Sequence, residues 1–231
     1  MHTERIILIG GCFLAFGAAF ANMGVFLDTG TSVSHLTGDI SKLSTDLVNT
    51  SPEIFSELIR VAAATASFFL GAFLAGLFIH HPSLDFARPY GRTIVGIGVL
   101  FTIAHFLIPS APVAAISLSA LGCGLQNALA TRYRGIVLRT THLTGLITDF
   151  GITLGMRFKK LDIPTWKIAV PAVLTAAFFA GGVCSAIVFW QGDHDPVLIA
   201  GLAYVAAGLA WTFLKHVVWP WLDPGKAPGD V

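Results

Sequence analysis

A histidine, a threonine and a glycine stand in the same order at two places in this chain. His35-Leu36-Thr37-Gly38 is repeated as His142-Leu143-Thr144-Gly145. An imidazole titrates near neutral pH, so each histidine could couple or gate proton movement, although for each one alone a hydrogen bond to a neighbouring loop is the simpler role. Glycine permits close backbone approach, and free N–H groups at a helix start could hold a polar or anionic solute. The repeated motif therefore predicts a site for a small solute.

Amide side chains precede both motifs. Asn22 lies 13 residues before the first motif and Asn127 lies 15 residues before the second, each within or at the end of an apolar stretch. A buried amide is costly without a hydrogen bond, so these residues either join helices or line a polar pathway. Gln126, beside Asn127, has only Ala21 as its counterpart, so the site would not be fully symmetric.

The candidate solute-binding set joins these amides to both motifs and adds the carboxylate that follows the first motif. It comprises Asn22, His35, Thr37, Gly38, Asp39, Gln126, Asn127, His142, Thr144 and Gly145. No catalytic residue, metal or cofactor is predicted, because the three cysteines stand alone in apolar runs and no nucleophile, base or ligand cluster is evident. An enzyme is therefore the least favoured class.

The composition is that of a membrane protein. Apolar residues make up 55% of the 231 residues, and charged residues make up only 12%. A soluble domain carries about 25% charge, and the apolar residues here fall into long blocks. The formal net charge of +1 argues against nucleic-acid binding, which needs a concentrated basic face. The lipid bilayer and an unknown small solute are the expected partners, and a homo-oligomer is compatible with the sequence.

Six apolar blocks are long enough, or nearly so, to cross the bilayer core, which needs roughly 20 helical residues. They cover residues 6–27, 58–79, 93–108, 112–130, 168–190 and 197–214. Pro112 and Pro171 fall in first turns, where the missing N–H is harmless. With both termini cytoplasmic, twelve Lys and Arg residues fall in inside segments and only Lys42 and Arg60 outside. This positive-inside bias predicts a multi-pass protein with a cytoplasmic tail at 217–231.

The hydrophobic pattern also repeats, so the chain divides into halves at 1–108 and 109–216. Residues 17–22 resemble 122–127, and residues 66–71 resemble 176–181. Each half contributes one span, the motif segment and two more spans. Because three is odd, the halves must face opposite ways in the membrane, as in many secondary transporters. The predicted fold is one all-α polytopic membrane domain of six transmembrane helices in two inverted three-span repeats.

Each repeat is predicted to carry an extra short helix at its motif, at about 36–48 and 143–156. Apolar residues recur there at helical spacing, as at Leu36, Ile40 and Leu43. A helix of about 12 residues is roughly 18 Å long and cannot cross the core. It could lie flat on the membrane surface or dip inward as a half-helix. Both remain open, and the repetition on both sides favours the half-helix.

The residues around both motifs resemble a known family. The match rests on Phe20-Ala21-Asn22-Met23-Gly24, on Ser34-His35-Leu36-Thr37-Gly38-Asp39, and on Gly124-Leu125-Gln126-Asn127-Ala128 followed by Thr141-His142-Leu143-Thr144-Gly145. In these residues the chain is similar to the YoaK-like family of bacterial inner-membrane proteins (domain of unknown function 1275), from about residue 6 to 214. The resemblance implies a six-span bacterial inner-membrane protein and carries no established activity. That family usually has Asn after the first Thr-Gly, and Asp39 here could change the charge of the solute or add a titrating group.

The leading functional prediction is a small-solute transporter or channel. Its site would lie between the halves, where the candidate residues other than the two histidines approach one another across a pseudo-twofold axis. The alternative is a structural or regulatory membrane subunit whose repeat serves packing alone, and a membrane-embedded enzyme ranks third. A polar cavity lined from both halves would favour transport, whereas a dry, filled interface would favour the subunit.

Overall fold

The computed structural model describes residues 2–48, 52–78, 90–129, 132–133, 136–137, 141–192 and 194–218. Its α-helices are α1 (His2–Thr29), α2 (Leu36–Asp46), α3 (Pro52–Phe78), α4 (Tyr90–Leu107), α5 (Pro112–Ala128), α6 (Leu143–Phe158), α7 (Thr165–Gln191) and α8 (Pro196–Phe213). The two-residue strands β1 (Arg132–Tyr133) and β2 (Ile136–Val137) pair antiparallel, and a π-helical turn, Leu214–Val218, follows α8. Most of the predicted cytoplasmic tail, 219–231, lies outside the described residues.

Each of the six predicted apolar blocks forms a helix over most of its described residues. Within the described part of the chain, five helices are long and apolar enough to cross a membrane, namely α1, α3, α4, α7 and α8. The remaining block forms α5, whose 17 residues rise about 25 Å, somewhat less than a hydrocarbon core of about 30 Å. Pro112 opens α5, as predicted, where its missing N–H costs nothing.

Large apolar side chains face outward along these helices. On α3, Phe69 and Phe78 are each 70% exposed, and on α7 Phe179 and Trp190 are 72% and 74% exposed. A water-soluble protein rarely shows so much apolar surface, whereas lipid acyl chains would cover it favourably. The protein is therefore a multi-pass integral membrane protein.

The apolar core lies where α1, α4, α5 and α8 meet. It contains the fully buried Val25, Phe101, Ile116 and Val197, one from each of these helices. A second, smaller cluster joins α1, α6 and α7 around the buried Leu146. The second motif helix is thus anchored to the bundle by an apolar side chain of its first turn.

The helices pack most closely in three pairs, α1 with α7, α3 with α5, and α4 with α8. Two of the crossings are made by glycines. A Cβ on Gly71 of α3 would lie 2.2 Å from the Leu121 carbonyl oxygen of α5, and one on Gly181 of α7 would lie 2.1 Å from the Phe16 carbonyl oxygen of α1. Backbone therefore touches backbone, an approach that small residues allow between membrane helices.

The third pair, α4 with α8, is held by four glycines. A Cβ on Gly98 would lie 2.6 Å from the Gly201 carbonyl oxygen, and one on Gly208 would lie 2.6 Å from the Gly91 carbonyl oxygen. Because Gly91 meets the later glycine of α8 and Gly98 the earlier one, the two helices run antiparallel. Each helix also carries a threonine whose hydroxyl donates to a glycine carbonyl of its own helix, at Gly98 and at Gly208.

The second motif helix is longer than predicted. α6 has 16 residues, about 24 Å of rise, and ends at Phe158, beyond the predicted end at about residue 156. α2 has 11 residues and ends at Asp46, before the predicted end at about residue 48. Single glycines such as Gly151 and Gly155 weaken a helix by about 1 kcal/mol and do not stop it. The chain leaves α6 at Lys160, whose φ of 60° is left-handed, and the Leu161 N–H donates to the Met156 carbonyl at 3.2 Å. This is a Schellman-type helix end.

Pro171 lies deeper in its helix than predicted. α7 begins at Thr165 and not at residue 168, so Pro171 falls in the second turn, because the polar and interfacial residues before the apolar block are helical too. Proline has no N–H, so the Lys167 carbonyl lacks its usual helical partner. The Thr153 hydroxyl of α6 lies 3.5 Å from that carbonyl oxygen, which sets the motif helix beside the interrupted turn.

Candidate functional site

Asn22 fixes the loop that carries the first motif. α1 ends at Thr29, and Gly30 turns the chain with a left-handed φ of 71°. The Asn22 Oδ1 then accepts hydrogen bonds from the Ser32 hydroxyl at 2.9 Å, the Val33 N–H at 2.9 Å and the Ser34 N–H at 3.0 Å. A single buried amide oxygen thereby satisfies three donors, and the loop is held against the end of α1.

His35 packs into the protein at the end of this loop. Its ring meets the ring of Phe178 on α7 edge to face, with 5.2 Å between centroids. Burial lowers the pKa of the imidazole, because desolvation disfavours the charged form. His35 precedes α2 without capping it through its side chain. It is therefore a neutral packing group at neutral pH.

Asp39 has a carboxylate oxygen, Oδ2, that is buried and has no hydrogen-bond partner among the described residues. Burial raises the pKa of this carboxyl; nearby Lys42 opposes the rise and Glu57 adds to it. Lys42 forms an ion pair with Glu57, which ties α2 to α3. The neighbouring Thr37 and Gly38 are exposed. The start of α2 therefore combines an open backbone with a carboxyl that takes up a proton more readily than an ordinary aspartate.

Asn127 holds the second motif in a similar way. The Thr141 hydroxyl donates to the Asn127 Oδ1 at 3.0 Å, directly before His142. His142, the N-cap residue of α6, makes no side-chain cap bond either. The His142 ring instead folds over Gly145, where a Cβ would lie 2.6 Å from the ring Nδ1, and Thr144 is exposed. The residue that corresponds to Asp39 is Leu146, which is buried, so only the first motif carries a carboxyl at this position.

Gln126 joins three helices inside the bundle. Its Nε2 donates to the Leu14 carbonyl of α1 at 2.7 Å, and its Oε1 accepts from the Tyr204 hydroxyl of α8 at 2.5 Å. Gly17 makes room for the tyrosine, since a Cβ there would lie 2.7 Å from the Tyr204 hydroxyl oxygen. Gln126 is 1% exposed. Its polar atoms are thus engaged by the protein itself.

The candidate residues form two groups around the two motifs. Each asparagine bonds to the loop of its own half, α2 packs on α3, and α6 packs on α7. Gln126 meets α1 at Leu14, which is about 12 Å of helix rise away from Asn22. The approach of the two groups across a common axis stays a prediction.

Buried hydroxyls on α3, α5 and α7 were not among the sequence candidates. Thr65 of α3 and Thr175 of α7 each have a buried Oγ1 without a hydrogen-bond partner in the described chain, as do Ser119 and Ser185. Thr65 and Thr175 each stand one residue before the repeated stretch 66–71 and 176–181. The repeat could therefore have identified Thr65 and Thr175. Nothing in the sequence pattern pointed to Tyr204.

A separate polar cluster joins the ends of α4 and α8. The His105 Nδ1 lies 2.8 Å from the Asp195 Oδ2, while the Asp195 Oδ1 accepts from the Val197 and Leu198 N–H groups and caps α8. One carboxylate thus binds two helix ends. Within the described ranges, no three His, Cys, Asp or Glu side chains come together as a metal site would require.

The model of the family of proteins of unknown function DUF1275 matches residues 10–211, a stretch that contains both motifs, Gln126 and Tyr204. The chain belongs to this family. Comparison with curated proteins gave no match, and neither did comparison with solved structures. Since DUF1275 carries no assigned activity, the function of this DUF1275 protein has to be argued from its own geometry.

Proposed function

We propose that this DUF1275 protein passes a small solute across a bacterial inner membrane, as a channel or carrier, through a site between two inverted halves. The observation that carries the proposal is the equivalence of the helix crossings. Gly71 meets the Leu121 carbonyl, and Gly181 meets the Phe16 carbonyl. In the sequence repeat, Gly71 corresponds to Gly181 and Leu121 corresponds to Phe16. A pseudo-twofold axis between the halves would produce such a pair of equivalent contacts.

The antiparallel course of α4 and α8 supports the inversion. These helices are the last of their halves, and their glycines stand at matching places seven residues apart, Gly91 with Gly98 and Gly201 with Gly208. Equivalent helices that run in opposite directions belong to halves that face opposite sides. With α5 as the sixth span, each half crosses the membrane three times, and the two motifs then open to opposite sides.

The two motif helices would supply the solute contacts. The N-cap residues of α2 and α6, His35 and His142, make no side-chain cap bond. The first-turn N–H groups and positive dipole ends of both helices would therefore be available to a polar or anionic solute. The hydroxyls of Thr65 and Thr175, which have no hydrogen-bond partner among the described residues, lie on the helices that follow. A buried hydroxyl without a partner favours occupation by water or a polar group. A small anion or neutral polar metabolite is the solute class that fits these donors.

The charge distribution supports the proposed orientation. Twelve of the fourteen Lys and Arg residues fall on one side of a six-span arrangement, which under the positive-inside rule places both termini in the cytoplasm. Lys42 and Arg60 remain outside. Both have structural roles there, because Lys42 pairs with Glu57 and the Arg60 guanidinium donates to the Thr29 carbonyl at 3.1 Å, at the end of α1.

Flux through purified protein in liposomes, screened with small anions and neutral metabolites, tests the proposal. Two glycines of α6 form a matched pair of variants. Gly145→Ala places a methyl group against the His142 ring, so it should displace the ring and reduce flux several-fold. Gly151→Ala, farther along the same helix and outside the candidate set, meets no atom within 4 Å and should leave flux close to that of the unmodified protein. Flux that responds equally to both variants would mean that the motif turns are scaffolding.

A structural or regulatory membrane subunit remains the second candidate, and one observation favours it. The polar atoms that bond Asn22 to its loop and Gln126 to Leu14 and Tyr204 are used within the protein, as a packing role requires. Under this alternative, no small anion or neutral metabolite would cross the liposome membrane above the rate of protein-free vesicles. The variants Asn22→Ala and Gln126→Leu would then alter only stability.

A further inference from the structure

Positive charge collects where α6 turns into α7. Arg157, Lys159, Lys160 and Lys167 lie within eleven residues of each other, against the single carboxylate Asp162. All four cationic side chains are exposed. We call this surface, together with Met156, Phe158 and Leu161, the basic corner.

The backbone of the basic corner is fixed by its own hydrogen bonds. The Arg157 guanidinium donates to the Ile163 carbonyl at 2.7 Å, which ties the last turn of α6 to the connection. The Lys160 N–H donates to the Arg157 carbonyl at 2.9 Å in the left-handed turn that closes the helix. Lys159 and Lys160 are therefore presented by a defined turn. Neither lysine has an ion-pair partner in the described part of the chain.

Apolar side chains alternate with these cations. Phe158 is 81% exposed and Leu161 is 47% exposed, directly beside Lys159 and Lys160. At the start of α7 the Lys167 ammonium stands 5.8 Å from the centre of the Trp166 ring. Exposed Phe and Leu are unfavourable in water, and tryptophan prefers the level of lipid headgroups. A surface with both properties suits the boundary between headgroups and acyl chains.

We propose that the basic corner binds the phosphate groups of anionic phospholipids, with Lys159 and Lys160 as the principal contacts and Phe158 inserted among the acyl chains. Charge complementarity selects an anionic headgroup over a zwitterionic one. The alternation of cations with apolar residues selects a membrane lipid over a free phosphate ion, since free phosphate gains nothing from Phe158 or Leu161. The binding is independent of solute passage.

Native mass spectrometry of the full-length protein in detergent, titrated with phosphatidylglycerol, phosphatidylcholine or inorganic phosphate, tests this. The unmodified protein should prefer phosphatidylglycerol. A lysine near an anionic surface contributes about fivefold in affinity, from roughly 1 kcal/mol per residue, so Lys159→Gln with Lys160→Asn should weaken phosphatidylglycerol binding about 25-fold. Asn is used at position 160 because it tolerates the left-handed conformation. Binding of phosphatidylcholine should not change.

The control removes the same charge elsewhere, with Arg92→Gln and Lys215→Gln, and should leave phosphatidylglycerol affinity within about twofold. Equal binding of the two lipids by the unmodified protein would overturn the proposal. So would a corner variant that binds phosphatidylglycerol as well as the control does. Inorganic phosphate that displaces phosphatidylglycerol at comparable concentration would instead identify a free-anion site, and it too would overturn the lipid assignment.

Discussion

Among single residues, the candidate site contains polar atoms that are hydrogen-bonded within the protein and polar atoms that have no partner among the described residues. Asn22 and Gln126 belong to the first kind, whereas Asp39 and the hydroxyls of Thr65 and Thr175 belong to the second. The sequence could identify the amides, because a polar residue in an apolar block is conspicuous. It could not identify their partners, since those depend on the turn at Gly30 and on a tyrosine 78 residues away from Gln126.

Asp39→Asn should remove a pH dependence. Burial raises the pKa of Asp39, so as the pH falls the carboxyl becomes neutral in a range above the usual pKa of an aspartate. Anion flux in liposomes should rise as the pH falls through that range, and the variant should show high, flat flux. The sign for stability follows from linkage: ionised Asp39 destabilises the fold as pH rises through its raised pKa, so the variant should melt higher at neutral pH only. A pH profile unchanged by the substitution would exclude Asp39 from the pathway.

Tyr204→Phe should be destabilising because it removes the donor to Gln126 Oε1 in a fully buried setting. Loss of this buried hydrogen bond should cost about 1–3 kcal/mol, and Gln126→Leu should cost a similar amount. The double variant should cost less than the sum of the two, since both break one interaction. Denaturation in a detergent series measures all three. Additive losses would mean that the pair is not coupled.

At the level of elements, the apolar blocks predicted where helices form. They did not predict where each helix ends or which helix it packs against, because both depend on tertiary structure. The position of Pro171 shows why a helix end is hard to predict: residues 165–167 are too polar to count as part of a span, yet they are helical. α6 shows the same for packing partners, because the sequence did not indicate that Leu146 packs against α1 and α7. The pairing of α3 with α5 and of α1 with α7 could not be predicted, because a glycine allows close approach without indicating which helix will pack against it.

Gly71→Ala and Gly181→Ala should destabilise the protein by similar amounts. In each case the added methyl group would overlap a carbonyl oxygen of the partner helix, at 2.2 Å and 2.1 Å. Forcing the helices apart typically costs about 1–3 kcal/mol. Gly76→Ala on the same α3 meets no atom within 4 Å and serves as the matched control. Thermal midpoints in detergent provide the measurement, and strongly unequal losses for the two glycines would argue against equivalent crossings.

At the scale of the whole molecule, the two sequence halves are interlaced. Each close helix pair takes one helix from each half, so neither half would bury its glycine faces alone. The sequence repeat predicted two copies of one unit, and it could not predict which helices of one half pack against which helices of the other. A site between the halves would then be lined by helices from both, with the motif of each half held by its own asparagine.

The most direct test of this account is the accessibility of the two motifs from the two sides of the membrane. In a background without Cys12, Cys123 and Cys184, the variants Thr37→Cys and Thr144→Cys introduce thiols at exposed, matching positions. A membrane-impermeant maleimide is applied to right-side-out and to inverted vesicles. We expect Thr37→Cys to react in right-side-out vesicles and Thr144→Cys in inverted ones. Labelling of both from the same side would contradict the inverted arrangement and the shared site that depends on it.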